Sequence, residues 1–296
     1  MTRRAVLPLP AMSLWQALFL GFLQGATELF PVSSLGHAVL LPKLLGWQYD
    51  QRDPTFLPYI VLLHLGTALA LLFVFRQDWP RLIAAFWRAA VRGQVGQDPD
   101  EKLAMLLFLG TLPPGILGVF FETDLKKLFA SPRFAAIFLL VNAVIMAGGE
   151  FLRRRQVPPL AKPPVVADGH AREEISLGYR QALVVGTSEG LALLPGISRS
   201  GTTITAGLLF GVGHEAAARF SFLLATPLIL AAGLLEVPSL FGAGSRLPIY
   251  IAGAVVAAVT AYVSVRFLLR YFESGRLWPF AIYCAILGTV GLVFAR

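Results

Sequence analysis

Leu194-Pro195-Gly196-Ile197-Ser198-Arg199-Ser200-Gly201-Thr202-Thr203 interrupts an otherwise apolar region. Residues 181–194 lead into it, broken by Ser188, Glu189 and Gly190, and residues 204–212 lead out. An ionisable side chain at hydrocarbon depth is costly and by default marks a functional site. Glycines allow a ligand close to the backbone. Serine hydroxyls, exposed N–H groups and a guanidinium fork together suit a phosphate. The plainer reading is a structural ion pair between Arg199 and Glu28 or Glu189. On that reading Ser198, Ser200, Thr202 and Thr203 serve partly as helix caps.

This stretch has a counterpart earlier in the chain. Gln24-Gly25 stands to Ser33-Ser34-Leu35-Gly36 as Glu189-Gly190 stands to Ser198-Arg199-Ser200-Gly201, with an offset of 165 residues in both places (24 to 189, 36 to 201). The remaining sequence reads as scaffolding that brings the two segments together.

Composition sets the solvent. Of 296 residues, 56% are hydrophobic and 14% charged, with mean hydropathy +0.69, which describes a polytopic membrane protein rather than a soluble domain. The single cysteine, Cys284, excludes an internal disulfide framework and most thiolate metal sites. The net charge of +8 raises the question of nucleic acid. The basic residues mostly flank apolar runs, however, so a bilayer and not nucleic acid is the expected partner. Arg3 and Arg4 precede an apolar stretch, yet Gln16, Gln24 and Glu28 lie within it and no small-x-small site follows, so cleavage is not expected.

The periodic segments fall into two series. Residues 13–30 form a helical run with Ser13 as N-cap, ended by Pro31, and a short apolar run follows at 37–46. Each half is too short to span, so a re-entrant hairpin lining a cavity is expected in preference to a single kinked helix. Spans are expected at 57–75, 103–121 and 134–151, with an amphipathic interfacial segment beginning at Trp79. The Pro-rich polar stretch 156–177 is a loop. A second broken element at 178–212 precedes spans at 217–236, 248–268 and 277–295. The expected fold is an all-α polytopic membrane protein of two repeats, 1–155 and 178–296, in a single membrane domain. Each repeat is a broken re-entrant helix hairpin plus three transmembrane helices. Three crossings per repeat change sides, so the second repeat enters inverted, and the site is expected at the junction. On that topology nine basic residues lie on one side and fifteen on the other. The richer side is expected to be cytoplasmic and both termini outward, although Arg3 and Arg4 run against this.

Several side chains could carry chemistry. Gln24 and Glu28, four apart, share a helix face. A carboxylate that merely ties two helices together is the bland alternative. Ser34 and His37, three apart beyond the Pro31 break, form a candidate nucleophile–base pair, although a lone Ser-x-x-His is weak evidence. His64, inside a span, reads as a core histidine. His214 and Glu215 read as structural, Glu215 complementing a helix dipole, and His170 lies in the loop.

At these residues the chain resembles the undecaprenyl-diphosphate phosphatases, also called bacitracin-resistance proteins. The first signature reads Gln24-Gly-Ala-Thr-Glu28-Leu-Phe-Pro31-Val-Ser33-Ser34-Leu-Gly36-His37, and the second runs from Pro195 to Gly201 and on to Thr203. The run Glu215 to Leu224 is also similar, and the likeness covers nearly the whole chain. The long loop is a departure from the family pattern. The resemblance implies an inner-membrane enzyme, its site opening outward, that hydrolyses a polyprenyl diphosphate lipid to the monophosphate. That reaction recycles the carrier for peptidoglycan synthesis and confers bacitracin resistance. It implies a site of Glu28, Ser34, His37 and Arg199, with Gln24, Ser33, Ser198, Ser200, Gly201 and Thr203 holding substrate. Gln24 and Glu28 either orient His37 or hold a divalent cation, magnesium or calcium. Attack by Ser34 and attack by water activated by His37 both stay open, as does a homodimer. A flippase for polyprenyl phosphate lipids is the main alternative, because inverted repeats with broken helices are also a transporter architecture. A purely scaffolding membrane protein is the other.

Overall fold

The computed structural model describes residues 12–47, 56–128, 131–156 and 175–294. Arg3, Arg4, Arg52, His170 and the body of the Pro-rich loop lie outside the described residues.

Eleven α-helices and no strands make up the described chain. The first hairpin is α1 (Leu14–Thr27) and α2 (Ser34–Leu44). Ser13 caps α1 through a reciprocal pair with Gln16, Ser13 N–H donating to Oε1 at 2.8 Å and Gln16 N–H to Oγ at 3.3 Å. Helix α1 stops at Thr27, one turn before Pro31, whose ring cannot sit inside a helix. The spans follow as α3 (Phe56–Val74), α5 (Pro99–Leu128) and α6 (Pro132–Gln156). Between the first two lies α4 (Asp78–Arg92), turned by 86° from α3. Its Ile83, Trp87 and Val91, four apart, are exposed, while Leu82, Ala85 and Ala89 are buried, as an interfacial helix requires.

The second series repeats this order. Helix α7 (Tyr179–Gly190), a 3-10 turn (Leu191–Leu193) and α8 (Arg199–Leu209) form the second broken element. Helices α9 (His214–Glu236), α10 (Leu247–Phe272) and α11 (Trp278–Phe294) complete it. Several helices outrun the expected spans. Helix α5 begins at Pro99 with Asp100 and Glu101 in its first turn, and α6 runs on through Arg153, Arg154 and Arg155. Both ends match charge to the helix dipole, so the helices continue past the apolar segment.

By length and composition four helical segments suffice to cross a bilayer: Pro99–Phe120, Pro132–Arg155, His214–Leu235 and Gly244–Phe272. A fifth is reached if the bent pair α3–α4 counts as one span. Helix α11, at 17 residues, is about 25 Å long and at the lower limit of a span. The chain is therefore a multi-pass membrane protein.

Packing runs crosswise between the two series. Helix α1 packs chiefly on α10, and α7 on α5, while α6 meets α11 and α3 meets α9. In lipid there is little hydrophobic gain from helix pairing, so close backbone approach through small residues takes its place. Helix α10 shows the resulting pattern. Ile251, Val255, Val259, Val263 and Phe267 face outward, while Gly253, Ala257 and Ala261 face in. A Cβ added at Gly21 would lie 2.2 Å from the Gly253 carbonyl oxygen, and one at Gly186 would lie 2.0 Å from that of Gly110. Gly21 and Gly186 stand at the same offset as the two motifs.

Gly186→Ala is accordingly expected to force α5 and α7 apart and destabilise the protein by about 1–3 kcal/mol, the usual cost of overpacking. Thermal melting in detergent measures this. Gly118→Ala, where an added Cβ meets nothing within 4 Å, is expected to melt with the wild type.

Candidate active site

The two helix breaks touch. The Phe30 carbonyl accepts from Ser200 Oγ at 3.1 Å and from Ser198 Oγ at 3.4 Å. Asn142, in the middle of α6 and fully buried, ties them further. Its Nδ2 donates to the Pro31 carbonyl at 3.1 Å, and its Oδ1 accepts from Ser198 N–H at 3.1 Å. Gly196 adopts φ +108°, and a Cβ there would lie 2.3 Å from the Ala135 carbonyl. The turn preceding Arg199 thus needs glycine on both conformational and steric grounds.

Each break launches a helix with the same cap. Ser33 Oγ accepts from Gly36 N–H at 3.2 Å, and Ser198 Oγ accepts from Gly201 N–H at 3.2 Å. Helices α2 and α8 therefore start side by side, at Ser34 and Arg199. Ser34 and Arg199, the first residues of these two helices, both reach Glu28, and a helix start is a place that favours an anion. Ser33 holds φ +67°, an uncommon left-handed position for a residue other than glycine.

Glu28, just past the end of α1, is the hub. Its Oε1 accepts from Arg199 Nη2 at 2.6 Å. Its Oε2 accepts from Gln24 Nε2 at 2.9 Å and from the Ser34 hydroxyl. His64 Nε2 lies 3.3 Å from the same oxygen. The Ile60 carbonyl, 2.8 Å from His64 Nδ1, can only accept, so Nδ1 carries hydrogen and Nε2 is the edge turned to Glu28. Arg199 Nη1 donates to the Ala225 carbonyl at 3.3 Å and lies 3.7 Å from Glu189 Oε1.

Glu28, Ser34, Gln24 and Arg199 thus come together. His37 stands differently from the Ser34–His37 pairing expected above. Its Nδ1–H donates to the Ser33 carbonyl at 2.7 Å, and its Nε2 faces the Tyr283 hydroxyl at 2.7 Å with the two rings stacked. The hydroxyl of Ser34 turns to Glu28 instead, because a carboxylate oxygen is the stronger acceptor within reach. His37 holds the Ser33 turn. Thr203 Oγ1 is spent on the Arg199 carbonyl at 2.8 Å and the Ser221 hydroxyl at 2.5 Å, locking α8 to α9. The hydroxyls of Ser33 and Ser198 cap helices. In this arrangement both Glu28 oxygens accept hydrogen bonds from protein donors. Among the described residues no group of three or more His, Cys, Asp or Glu could hold a metal.

Four participants were not in the expected site. His64 carries a signal, an ionisable ring in a span, that the core-histidine reading set aside. Glu189 stands at the repeat position of Gln24. Asn142 is a lone amide inside an apolar helix. Tyr283 has no signal in the sequence, because only the fold brings α11 to α2. Asn142→Ala would strip the partners from a buried carbonyl and a buried N–H, each costing about 1–3 kcal/mol. It is expected to melt well below wild type in detergent, whereas Val144→Ala on the 71% exposed face of the same helix is expected to melt close to it.

Comparison with known proteins identifies the family. Residues 17–290 match the family model described as "Bacitracin resistance protein BacA". A relative from Mycobacterium avium (strain 104), named undecaprenyl-diphosphatase, is 48% identical over 94% of this chain and 96% of its own length. One from Burkholderia thailandensis, named undecaprenyl-diphosphatase 2, is 45% identical over 94% of this chain and 95% of its own. One from Burkholderia ambifaria, of the same name, is 46% identical over the same shares. With the match covering nearly its whole length, the chain belongs to the bacitracin resistance protein BacA family.

Proposed function

We propose that this protein is an integral membrane phosphatase that hydrolyses undecaprenyl diphosphate to undecaprenyl phosphate and inorganic phosphate. This recycles the lipid carrier and lowers the amount of diphosphate lipid that bacitracin can sequester. One observation carries the reading: Arg199, the Glu28 carboxylate and the Ser34 hydroxyl meet where two helix N-termini converge at a break in the membrane fold. Family membership and the names of the relatives support it.

The substrate is an amphiphile, so its tail stays in lipid while the diphosphate enters between the two breaks. Its terminal phosphoryl group takes Arg199, which carries the charge that grows there in the transition state. Ser34 Oγ attacks the terminal phosphorus and passes its proton to Glu28 Oε2, the acceptor it already faces. The bond to the bridging oxygen breaks and lipid monophosphate leaves with the electron pair. Gln24 and His64 hold the carboxylate in place. His37 with Tyr283 holds the Ser33 turn that aims Ser34.

The two halves are inverted repeats that enter from opposite faces, a reading that the crosswise pairing of α1 with α10 and α7 with α5 supports. The side that carries Arg76, Arg88 and Arg153 is cytoplasmic, and the site opens outward across the inner membrane.

Arg199→Lys is expected to lower phosphate release from undecaprenyl diphosphate at least about 100-fold, since an ammonium cannot replace the planar fork. Turnover near wild type would remove the clamp. Topology is read by labelling single cysteines with a membrane-impermeant maleimide, the native Cys284 being buried. Cysteine at position 45 is expected to label from outside the cell and at position 274 only from the cytoplasm; the reverse pattern would invert the assignment.

A further inference from the structure

Two carboxylates flank Arg199, and the fold treats them differently. Glu28 has donors on both oxygens. Glu189 is 2% exposed, and neither of its oxygens accepts a hydrogen bond among the described residues. Its nearest charge, Arg199 Nη1, is 3.7 Å away, beyond hydrogen-bond reach. A buried carboxylate without donors is costly and calls for an explanation. The contrast with Gln24 sharpens it. Gln24 spends its amide on Glu28, one turn later and just past α1. One turn after Glu189 comes Leu193, which offers no polar group. The position is held firmly, because α7 lies against α5 through Gly186, and a Cβ on Gly190 would lie 2.5 Å from Leu117. A donor brought by the reaction would satisfy it.

The reaction brings one such donor. Once Ser34 carries the phosphoryl group, hydrolysis needs a water whose proton has somewhere to go. Glu28 holds the serine proton at that point and cannot accept a second. Arg199 lies between the two carboxylates, Nη2 on Glu28 and Nη1 3.7 Å from Glu189, so a phosphoryl group held by the guanidinium has the Ser34–Glu28 pair on one side and Glu189 within reach on the other.

We propose that Glu189 is the catalytic base for the hydrolytic water. The inference rests on the Ser34 mechanism proposed above. The water oxygen bonds to phosphorus while the phosphorus–Oγ bond of Ser34 breaks. The water proton passes to Glu189, and the departing serine oxygen takes its proton back from Glu28. Inorganic phosphate leaves with the proton that Glu189 received, so both carboxylates return to their starting state and one water is consumed. The second repeat thus supplies the second half-reaction, as the first repeat supplies the first.

The test is a single turnover in detergent with substrate labelled in its terminal phosphoryl group. Glu189→Gln keeps shape and removes the base. It is expected to release one equivalent of lipid monophosphate, to retain label on Ser34, and to free phosphate about 100-fold more slowly or worse. Glu28→Gln, which stops the first step, is expected to show no burst. Glu189→Asp, retaining a carboxylate, is expected to recover part of the phosphate release, which separates lost chemistry from lost folding. Wild-type phosphate release in Glu189→Gln would overturn the proposal. So would a defect erased by excess magnesium, which would make Glu189 a cation ligand. Ser34→Ala separates this inference from the serine mechanism. If Ser34→Ala turns over while Glu189→Gln neither turns over nor carries label, the serine mechanism falls and Glu189 serves a water that attacks the diphosphate directly. If Ser34→Ala is dead and Glu189→Gln is normal, the serine mechanism stands and Glu189 has no part in it.

Discussion

The ion pair between Glu28 and Arg199 joins the residue just past α1 to the first residue of α8, 171 residues away. Neither charge is tolerable alone at membrane depth. Removing one partner of a buried pair typically costs about 3–5 kcal/mol, because the other is left uncompensated. The pair therefore holds the two halves of the chain in one register. It also sets the terms of binding, since a phosphate that enters the site competes with Glu28 for the guanidinium. On the proposed mechanism, Arg199 turns to the phosphate and Glu28 keeps its other donors, among them the Ser34 hydroxyl. On that mechanism one interaction serves both assembly and chemistry.

The helix breaks make that pair reachable. An unbroken helix spends its N–H groups internally and presents only side chains. Here Pro31 and Pro195 stop the incoming helices, and Ser33 and Ser198 cap the outgoing ones, so backbone ends and short polar side chains collect inside the protein. Non-helical backbone survives at this depth only because other protein groups satisfy it. Asn142 and the Ser198 and Ser200 hydroxyls do so here. Glu189 is the conspicuous group left over, buried beside Arg199 without a hydrogen-bond donor among the described residues.

Around this centre the helices carry an inside-out pattern. Glycine and alanine meet at the helix contacts, and large apolar side chains point to lipid. The apolar exterior keeps the protein where its substrate is, and the small-residue contacts let the backbones approach closely enough to bring α1 against α10 and α7 against α5.

The helical membrane architecture was legible in the sequence because the bilayer imposes length and hydropathy on each segment independently. Pro31, the 165-residue repeat and the charged residues in apolar surroundings identified the breaks and put Glu28, Ser34 and Arg199 in one site. Those are local signals. What the tertiary structure decided is the partner of each polar group. Ser34 and His37 are three residues apart and so were natural partners in sequence, yet a helix start can aim two such side chains at different elements. Ser34 turns back to Glu28 and His37 reaches Tyr283 on α11. His64 looked like a core residue because nothing within α3 distinguishes it, and only the approach of α1 turns its ring to a carboxylate. Sequence spacing fixes which residues share a helix face; which face meets which is settled by packing between helices far apart in the chain.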